Sequence, residues 1–203
     1  MSKAVLISIR PKWCEKIVNG DKTIEVRKTR PKIDTPFKCY IYCTIGGQDL
    51  NIPISQERIM RDYLETGSMK SLNCPLGNGK VIGEFTCDQI IDAWWDYVPD
   101  AITREVAGGN LEALDGTGMT DEELFSYVGD SMRGHCYGWH IINLKIYDTP
   151  KELIEFHTWG KCKSCSKSGY ESTACIYDEN CMIPAAITKA PQSWCYVQEV
   201  RDE

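Results

Sequence analysis

The chain has 203 residues, a formal charge of −6, 42% hydrophobic residues and 11 cysteines. That length suits one domain with an appendage or two small domains, and the apolar share excludes a disordered chain. No apolar run approaches the ~20 residues that cross a bilayer.

The first apolar run, Ala4–Ile9, is interrupted by Arg10, so it is too short for a signal-peptide core and has no small-residue cleavage site behind it. The expectation is a soluble cytoplasmic protein with no membrane partner. In a reducing compartment, cysteines read as packed thiols or metal ligands before they read as disulfides. Their odd number also excludes a fully paired set.

Ala4–Ile9 is β-prone and predicts a buried strand. Pro11 suits the first turn of a helix carrying Trp13, Ile17 and Val18 on one face and ending at Asn19-Gly20. Residues 23–28 alternate apolar and polar, which predicts a half-buried strand. Its Thr23, Glu25 and Arg27 then share one face, with Ile24 and Val26 on the other. Pro31 and Pro36 bracket a loop, and Phe37–Ile45 reads as a strand. A helix is expected from Ser55 to Leu64, a turn at Asn78-Gly79 and a strand over Lys80–Cys87. Gln89–Tyr97 is apolar and aromatic, and residues 99–119 read as a loop or weak helix. Thr120 with Glu123 forms a capping-box pattern that opens a helix over Asp121–Val128, with Gly129 behind it. Tyr137–Tyr147 reads as a strand, Lys151–Phe156 as a helical turn, and Gln192–Val200 as a closing strand. Strands interrupted by helices without a βαβ repeat point to an α+β domain or a small mixed barrel.

Charge is unevenly spread. Residues 1–40 hold ten Lys/Arg against four Asp/Glu, and the rest of the chain is strongly acidic. The stretch with Arg10, Lys12, Lys16, Lys22, Arg27, Lys28, Arg30 and Lys32 is a candidate phosphate-binding surface, since salt screens the distant acidic part over ~10 Å. A solvated face with no partner is the alternative.

The segments Ser8-Ile-Arg-Pro-Lys-Trp13, Ile17-Val-Asn-Gly20 and Lys22-Thr-Ile-Glu25-Val-Arg27 resemble the ASCH domain of the PUA-like superfamily. Its Gly-x-Lys-x-x-Glu-x-Arg signature is matched by Gly20, Lys22, Glu25 and Arg27. The blocks at residues 81–85, 138–148 and 191–197 are similar to those of phage- and prophage-type ASCH proteins. The resemblance implies a PUA-like mixed β-barrel with flanking helices and a cleft for RNA or a nucleotide. The expected division is an ASCH-like domain over residues 1–156, a Cys-rich insertion over 157–190 and a closing strand over 191–203.

The candidate ligand-binding residues are Arg10, Lys12, Trp13, Lys22, Thr23, Glu25, Arg27, Ser193 and Trp194. They offer cations for phosphate, a carboxylate for an exocyclic amine and aromatic faces for a base of single-stranded RNA. A structural Glu25–Arg27 ion pair over a packed Trp13 is the competing reading. Some ASCH proteins are amidohydrolases acting on N4-acylated cytidine, with a Lys, a Thr two residues before the Arg, and a distant Glu. Lys22 matches the Lys, but Glu25 occupies the Thr position, and Thr23 lies ~6–7 Å along the strand from it. Lys22 and Glu25 are thus the candidate catalytic pair of that second reading, with Glu84 a candidate second carboxylate.

Cys162, Cys165, Cys175 and Cys181 form a second constellation, with His157 as a substitute ligand. The Cys-x2-Cys pair can place two thiolates on one tetrahedral ion, and two further ligands close a structural zinc site. The segment has little apolar content, so a metal would supply stability that burial cannot. A redox dithiol or free thiols are the alternatives. Cys14, Cys39, Cys43, Cys74, Cys87 and Cys136 read as packing residues. Cys136 and His140 share a strand face but stand ~13 Å apart, which argues against a nucleophile pair. Trp94, Trp95 and Trp139 read as core.

Overall fold

Six consecutive residues, Ala4 to Ile9, are buried, so the first strand is covered on both faces. The computed structural model describes residues 3–45, 77–97, 106–129, 133–161 and 182–200. Strand β1 (Lys3–Ile9) leads through Arg10 into helix α1 (Pro11–Val18), with Pro11 at its first position. Asn19 caps α1, and Gly20 turns the chain out at φ +81°. Strand β2 (Ile24–Arg27) follows, then β3 (Phe37–Cys43), β4 (Val81–Tyr97) and β5 (Val106–Gly109). A 3-10 turn (Leu111–Leu114) precedes helix α2 (Asp121–Val128). The chain continues through β6 (Arg133–Lys151), a 3-10 turn (Leu153–Glu155), β7 (His157–Lys161), β8 (Met182–Ala186) and β9 (Trp194–Gln198).

The main sheet runs β2-β6-β4-β3-β1-β9, with β5 added to β4, and β7 pairs β8 separately. Strands β1 and β3 are parallel, with Ile7 opposite Ile41, and the other pairings are antiparallel. The fold is α+β, as expected. The barrel implied by the resemblance is not closed by backbone pairing: the path ends at β2 and β9, which do not pair with each other.

Alternation along β1 divides the core. Val5, Ile7 and Ile9 pack with Cys14 and Ile17 of α1 and with Phe85 and Trp139. Ala4 and Leu6 pack with Tyr40, Phe156 and Val197. A third cluster joins Ile24 and Val26 to Trp95, Cys136 and Leu124 of α2.

Several expectations shift. Strand β2 starts at Ile24, and all four of its residues are buried rather than alternating, because β6 pairs with it and the cleft residues lie over its polar face. The strand expected at 80–87 runs on through the aromatic segment 89–97 as one strand, β4, whose pairing with β6 changes register between Cys87 and Ile90. The capping box at Thr120 is formed, with the Thr120 side chain accepting from the Glu123 N–H and the Glu123 carboxylate accepting from Thr120. Trp95 and Trp139 are buried, but Trp94 is 47% exposed, because adjacent strand residues face opposite sides. Cys14, Cys39, Cys43, Cys87 and Cys136 are buried free thiols, and Cys195 is a half-buried one. The helix expected over residues 55–64, Cys74 and the four candidate zinc ligands fall outside the described residues.

Candidate functional site

Between α1, the first residues of β2, α2 and the loop before β9 lies a cleft of about 780 Å³. Its floor is an ion triad. Glu25 Oε1 meets Arg27 Nη2 at 2.9 Å, and Glu25 Oε2 meets Lys22 Nζ at 3.3 Å. Lys22, Glu25 and Arg27 are only 2%, 5% and 6% exposed, so each charge depends on the others and on backbone groups for compensation.

Those backbone groups explain how distant segments converge. Lys22 Nζ donates to the carbonyls of Ile24 and Thr117, both at 2.8 Å. With Glu25 as third neighbour, every proton of the ammonium faces an acceptor. Burial pushes the Lys22 pKa below its ordinary value, and the Glu25 carboxylate opposes that shift. The Thr117 loop is held by further bonds from Thr23 N–H and Ile24 N–H to Gly116 O, at 2.8 and 3.1 Å. Gly116 has φ +99°, and a Cβ there would overlap Thr23 Oγ1. Lys16 Nζ also donates to Gly118 O.

Arg27 faces the other way. Its Nη2 donates to Ser8 O at 2.6 Å and its Nη1 to Ser193 Oγ at 3.4 Å. Ser8 N–H in turn donates to Ser193 O, and Ser8 Oγ to Pro191 O. The guanidinium therefore joins β2, one end of the sheet, to β1 and to the residues that enter β9, the other end. Arg27 Nε is buried without a hydrogen-bond partner among the described residues, whereas Glu25 Oε2 is answered by the Lys22 ammonium at 3.3 Å.

The walls carry opposite charge. Arg10, Lys12 and Trp13 come from the α1 side, and Glu122, Glu123, Ser126 and Tyr127 from α2. Lys12 and Glu123 form an ion pair that links the two walls. The Lys12, Lys16 and Lys22 ammonium groups lie 4.6, 5.3 and 5.3 Å from the centre of the Trp13 ring. Burial pushes the Tyr127 phenol above its usual value, with Arg27 pulling it down and Glu25 raising it. Four cations and three carboxylates line the cleft, so its positive charge is largely balanced by Glu25 together with Glu122 and Glu123 of α2.

Of the nine residues singled out from the sequence, the structure brings seven to this cleft: Arg10, Lys12, Trp13, Lys22, Glu25, Arg27 and Ser193. Thr23 and Trp194 do not line it. Thr23 precedes β2, is exposed, and uses its backbone N–H to hold Gly116. Trp194 packs against Trp139 and Tyr196, with ring centres 5.9 and 5.4 Å away, and its Nε1 donates to Thr29 Oγ1. Glu84 is also elsewhere: it accepts from Tyr147 OH at 2.6 Å and faces Lys38 at 3.3 Å. His135 and His140 pair with Asp92 and Asp88, while Cys136 is buried in the third cluster. His157 opens β7, with its Nδ1 3.1 Å from Glu155 O. No group of three or more His, Cys, Asp or Glu able to hold a metal occurs among the described residues.

Sequence reasoning missed Ser8, Thr44, Gln192 and the α2 wall. One signal for the wall was present: the capping box sets Glu122 and Ser126, and Glu123 and Tyr127, at i,i+4 spacing on α2. Nothing local indicated that this helix opposes α1.

No protein-family model matches the chain, and no curated protein matches it either. Solved structures similar to it include ASCH from Zymomonas mobilis, at 16% identity and a TM-score of 0.43 over 74% of this chain and 73% of that one. Two mutants of the same protein are similar too: a tyrosine-to-phenylalanine form at 15% identity and a TM-score of 0.44, over 75% of this chain and 77% of that one, and a serine-to-alanine form at 16% and 0.43, over 74% of each.

Proposed function

We propose that the protein binds single-stranded RNA or a nucleotide in the cleft above Lys22, Glu25 and Arg27. The observation that carries this reading is the stacking of charge from lip to floor: exposed Arg10 and Lys12 stand at the rim, and the buried Arg27 guanidinium lies beneath them. A chain of phosphates at the rim meets mobile cations, while a group entering the cleft meets a fixed donor. The matched ASCH-type signature at Gly20, Lys22, Glu25 and Arg27 supports the same reading.

The test is a fluorescence titration of a short single-stranded RNA at two salt concentrations. Wild type binds at low salt, and Arg10→Ala with Lys12→Ala weakens binding several-fold while the chain stays fully folded at the titration temperature. A wild type that binds no RNA and no mononucleotide at low salt rejects the reading.

The amidohydrolase reading gains nothing from the geometry. Two backbone carbonyls and the Glu25 carboxylate surround Lys22 Nζ and favour its protonated form, which has no lone pair with which to take a proton from water or substrate.

The zinc site belongs with this proposal as a reading of the sequence. Cys162, Cys165, Cys175 and Cys181 would hold one structural ion, leaving no coordination position for a substrate. Elemental analysis giving about one zinc per chain supports it, and a value near zero in protein purified without chelator rejects it.

A further inference from the structure

Strand β2 ends at Arg27 on the cleft floor, and the loop behind it is charged in a way that the cleft is not. Lys28, Arg30 and Lys32 follow one another at alternate positions, and all three are exposed. None of them is ion-paired among the described residues. The next acid along the chain is Asp34. Inside the cleft, by contrast, three carboxylates offset four cations.

The loop is anchored, so these charges do not ride on a loose tail. Trp194 Nε1 donates to Thr29 Oγ1 at 3.1 Å, and Lys32 N–H donates to Tyr196 OH at 2.6 Å. Pro31, between them, is buried. The loop is thus a strap from β2 to β9, across the seam where these two end strands do not pair. Two of its cations are set on aromatic rings. Lys28 Nζ lies 5.5 Å from the centre of the Tyr127 ring, and the Arg30 guanidinium lies 5.7 Å from that of Tyr137. A ring face positions a cation without neutralising it, as a carboxylate would. Asp92, opposite Tyr137 in the sheet, is already bonded to His135 at 2.6 Å. Like charges crowded on one strap repel one another, and an anionic partner offsets that cost.

Tyr127 also lines the cleft, so the strap starts at the cleft wall and continues its cationic rim. A lone nucleotide has no phosphate left for the strap once its own lies at Arg10 and Lys12. A strand has one for each position. Aromatic rings interleaved with cations also suit a nucleic-acid strand better than an acidic peptide.

We propose that Lys28, Arg30 and Lys32 form a phosphate track leading out of the cleft, so that the ligand is a single-stranded polynucleotide rather than a lone nucleotide. This rests on the cleft being the nucleic-acid site, and it adds the strap as the path of the strand beyond it.

The experiment titrates a mixed-base RNA octanucleotide, a 5′-phosphorylated dinucleotide and octaglutamate between about 50 and about 200 mM salt. Two rim contacts give a logarithmic salt slope of about −1.4, and three strap contacts deepen it to about −3.5 for the octanucleotide. In the triple variant Lys28→Ala, Arg30→Ala, Lys32→Ala, the octanucleotide slope should return to about −1.4, with dinucleotide binding as in wild type. A wild-type octanucleotide slope near −1.4 overturns the track and leaves the cleft reading intact. A steep slope that survives in the triple variant also overturns it, since the further phosphates then lie elsewhere. Octaglutamate binding as tightly as the octanucleotide overturns it in favour of an acidic-peptide surface. No binding of either oligonucleotide at about 50 mM salt overturns the cleft reading itself, and the track with it. The wild-type slope needs no substitution, so it decides the matter even if the variant does not fold.

Discussion

Arg27 donates through Nη2 to the carbonyl oxygen of Ser8 at 2.6 Å, and that one bond ties the end strand β2 to β1, the strand next to the other end of an open sheet. Strand β2 reaches β1 only by way of β6, β4 and β3 in the pairing order. The guanidinium supplies a short cut where no backbone ladder exists, and the cleft lies against that seam. Its rigidity comes from Glu25, which holds Nη2 from the opposite side at 2.9 Å. One side chain thus serves the fold and also lines the cleft.

Removing it should therefore cost stability before it costs anything else. Arg27→Ala strands the buried Glu25 carboxylate beside Lys22 and unties Ser8. The expected loss is about 3–5 kcal/mol in urea unfolding, the range for breaking a buried pair from one side. Arg27→Lys keeps a charge for Glu25 but loses the fork to Ser8 and Ser193, so an intermediate loss is expected. An Arg27→Ala protein as stable as wild type would show that the seam carries no load.

The Gly116 turn is a second structural dependence of the site. Gly116→Ala places a Cβ at φ +99° against Thr23 Oγ1. The strain and the displaced loop together should cost about 1–3 kcal/mol by thermal or urea unfolding. RNA binding should fall with it, since Thr117 O would leave Lys22 Nζ. Gly20→Ala has a positive φ but open space around it, so the smaller loss is expected there.

What the sequence disclosed follows the range of its signals. Strand β1, helix α1 and the capped helix α2 are marked by residues within a few positions of one another, and they formed where expected. The sequence marks strand β4 only as far as Cys87, because a register slip near Cys87–Ile90 breaks the period while the ladder continues. The triad was legible as Lys22, Glu25 and Arg27 on neighbouring positions. Its environment is not, since Thr117 and Ser193 reach it across long stretches of chain. Thr23 leaves the face that its alternation with Glu25 and Arg27 implies, because the strand begins one residue later, at Ile24.

The Lys12–Glu123 pair across the cleft mouth should be felt in salt dependence more than in stability. Both side chains are partly exposed, 51% and 33%, so the pair contributes at most about 1 kcal/mol to folding. Bound RNA would draw Lys12 away from Glu123 toward phosphate. With Arg10 and Lys12 engaged, the logarithmic salt slope should be about −1.4, and Lys12→Ala should reduce its magnitude by about 0.7. A slope unchanged by Lys12→Ala would place the phosphate elsewhere.

Glu123 also predicts an acid-side signature. The Lys12 hydrogen bond, and then the Thr120 N–H, hold its carboxyl below the ordinary value of 4.5. A carboxyl lowered by folding adds stability above its unfolded pKa and loses it as pH falls through the folded one. The stability gap between wild type and Glu123→Gln should thus be present at pH 6 and shrink as pH drops beneath about 4.5. A gap that is constant from pH 6 to 3 would mean that the carboxylate is not held.

On the alkaline side the buried thiols dominate. Burial pushes Cys87 up to about 12, and Cys136 and Cys195 up to about 11, from an ordinary 9.0. Above pH 9 the unfolded chain releases these protons while the folded chain keeps them, so the unfolded state binds fewer protons and stability falls with rising pH. The decline should run from about pH 9 toward 11, with Cys136→Ala flattening part of it once its own cavity cost is subtracted at pH 7. The same shift predicts slow chemistry: the thiolate is the nucleophile, so Cys136 and Cys195 should alkylate far more slowly with iodoacetamide at pH 8 in the folded protein than in urea. Mass spectrometry of partially labelled protein separates these two from the cysteines of residues 162–181. Rapid modification of Cys136 in the folded chain would contradict its place beside Trp95 and Leu124 in the core.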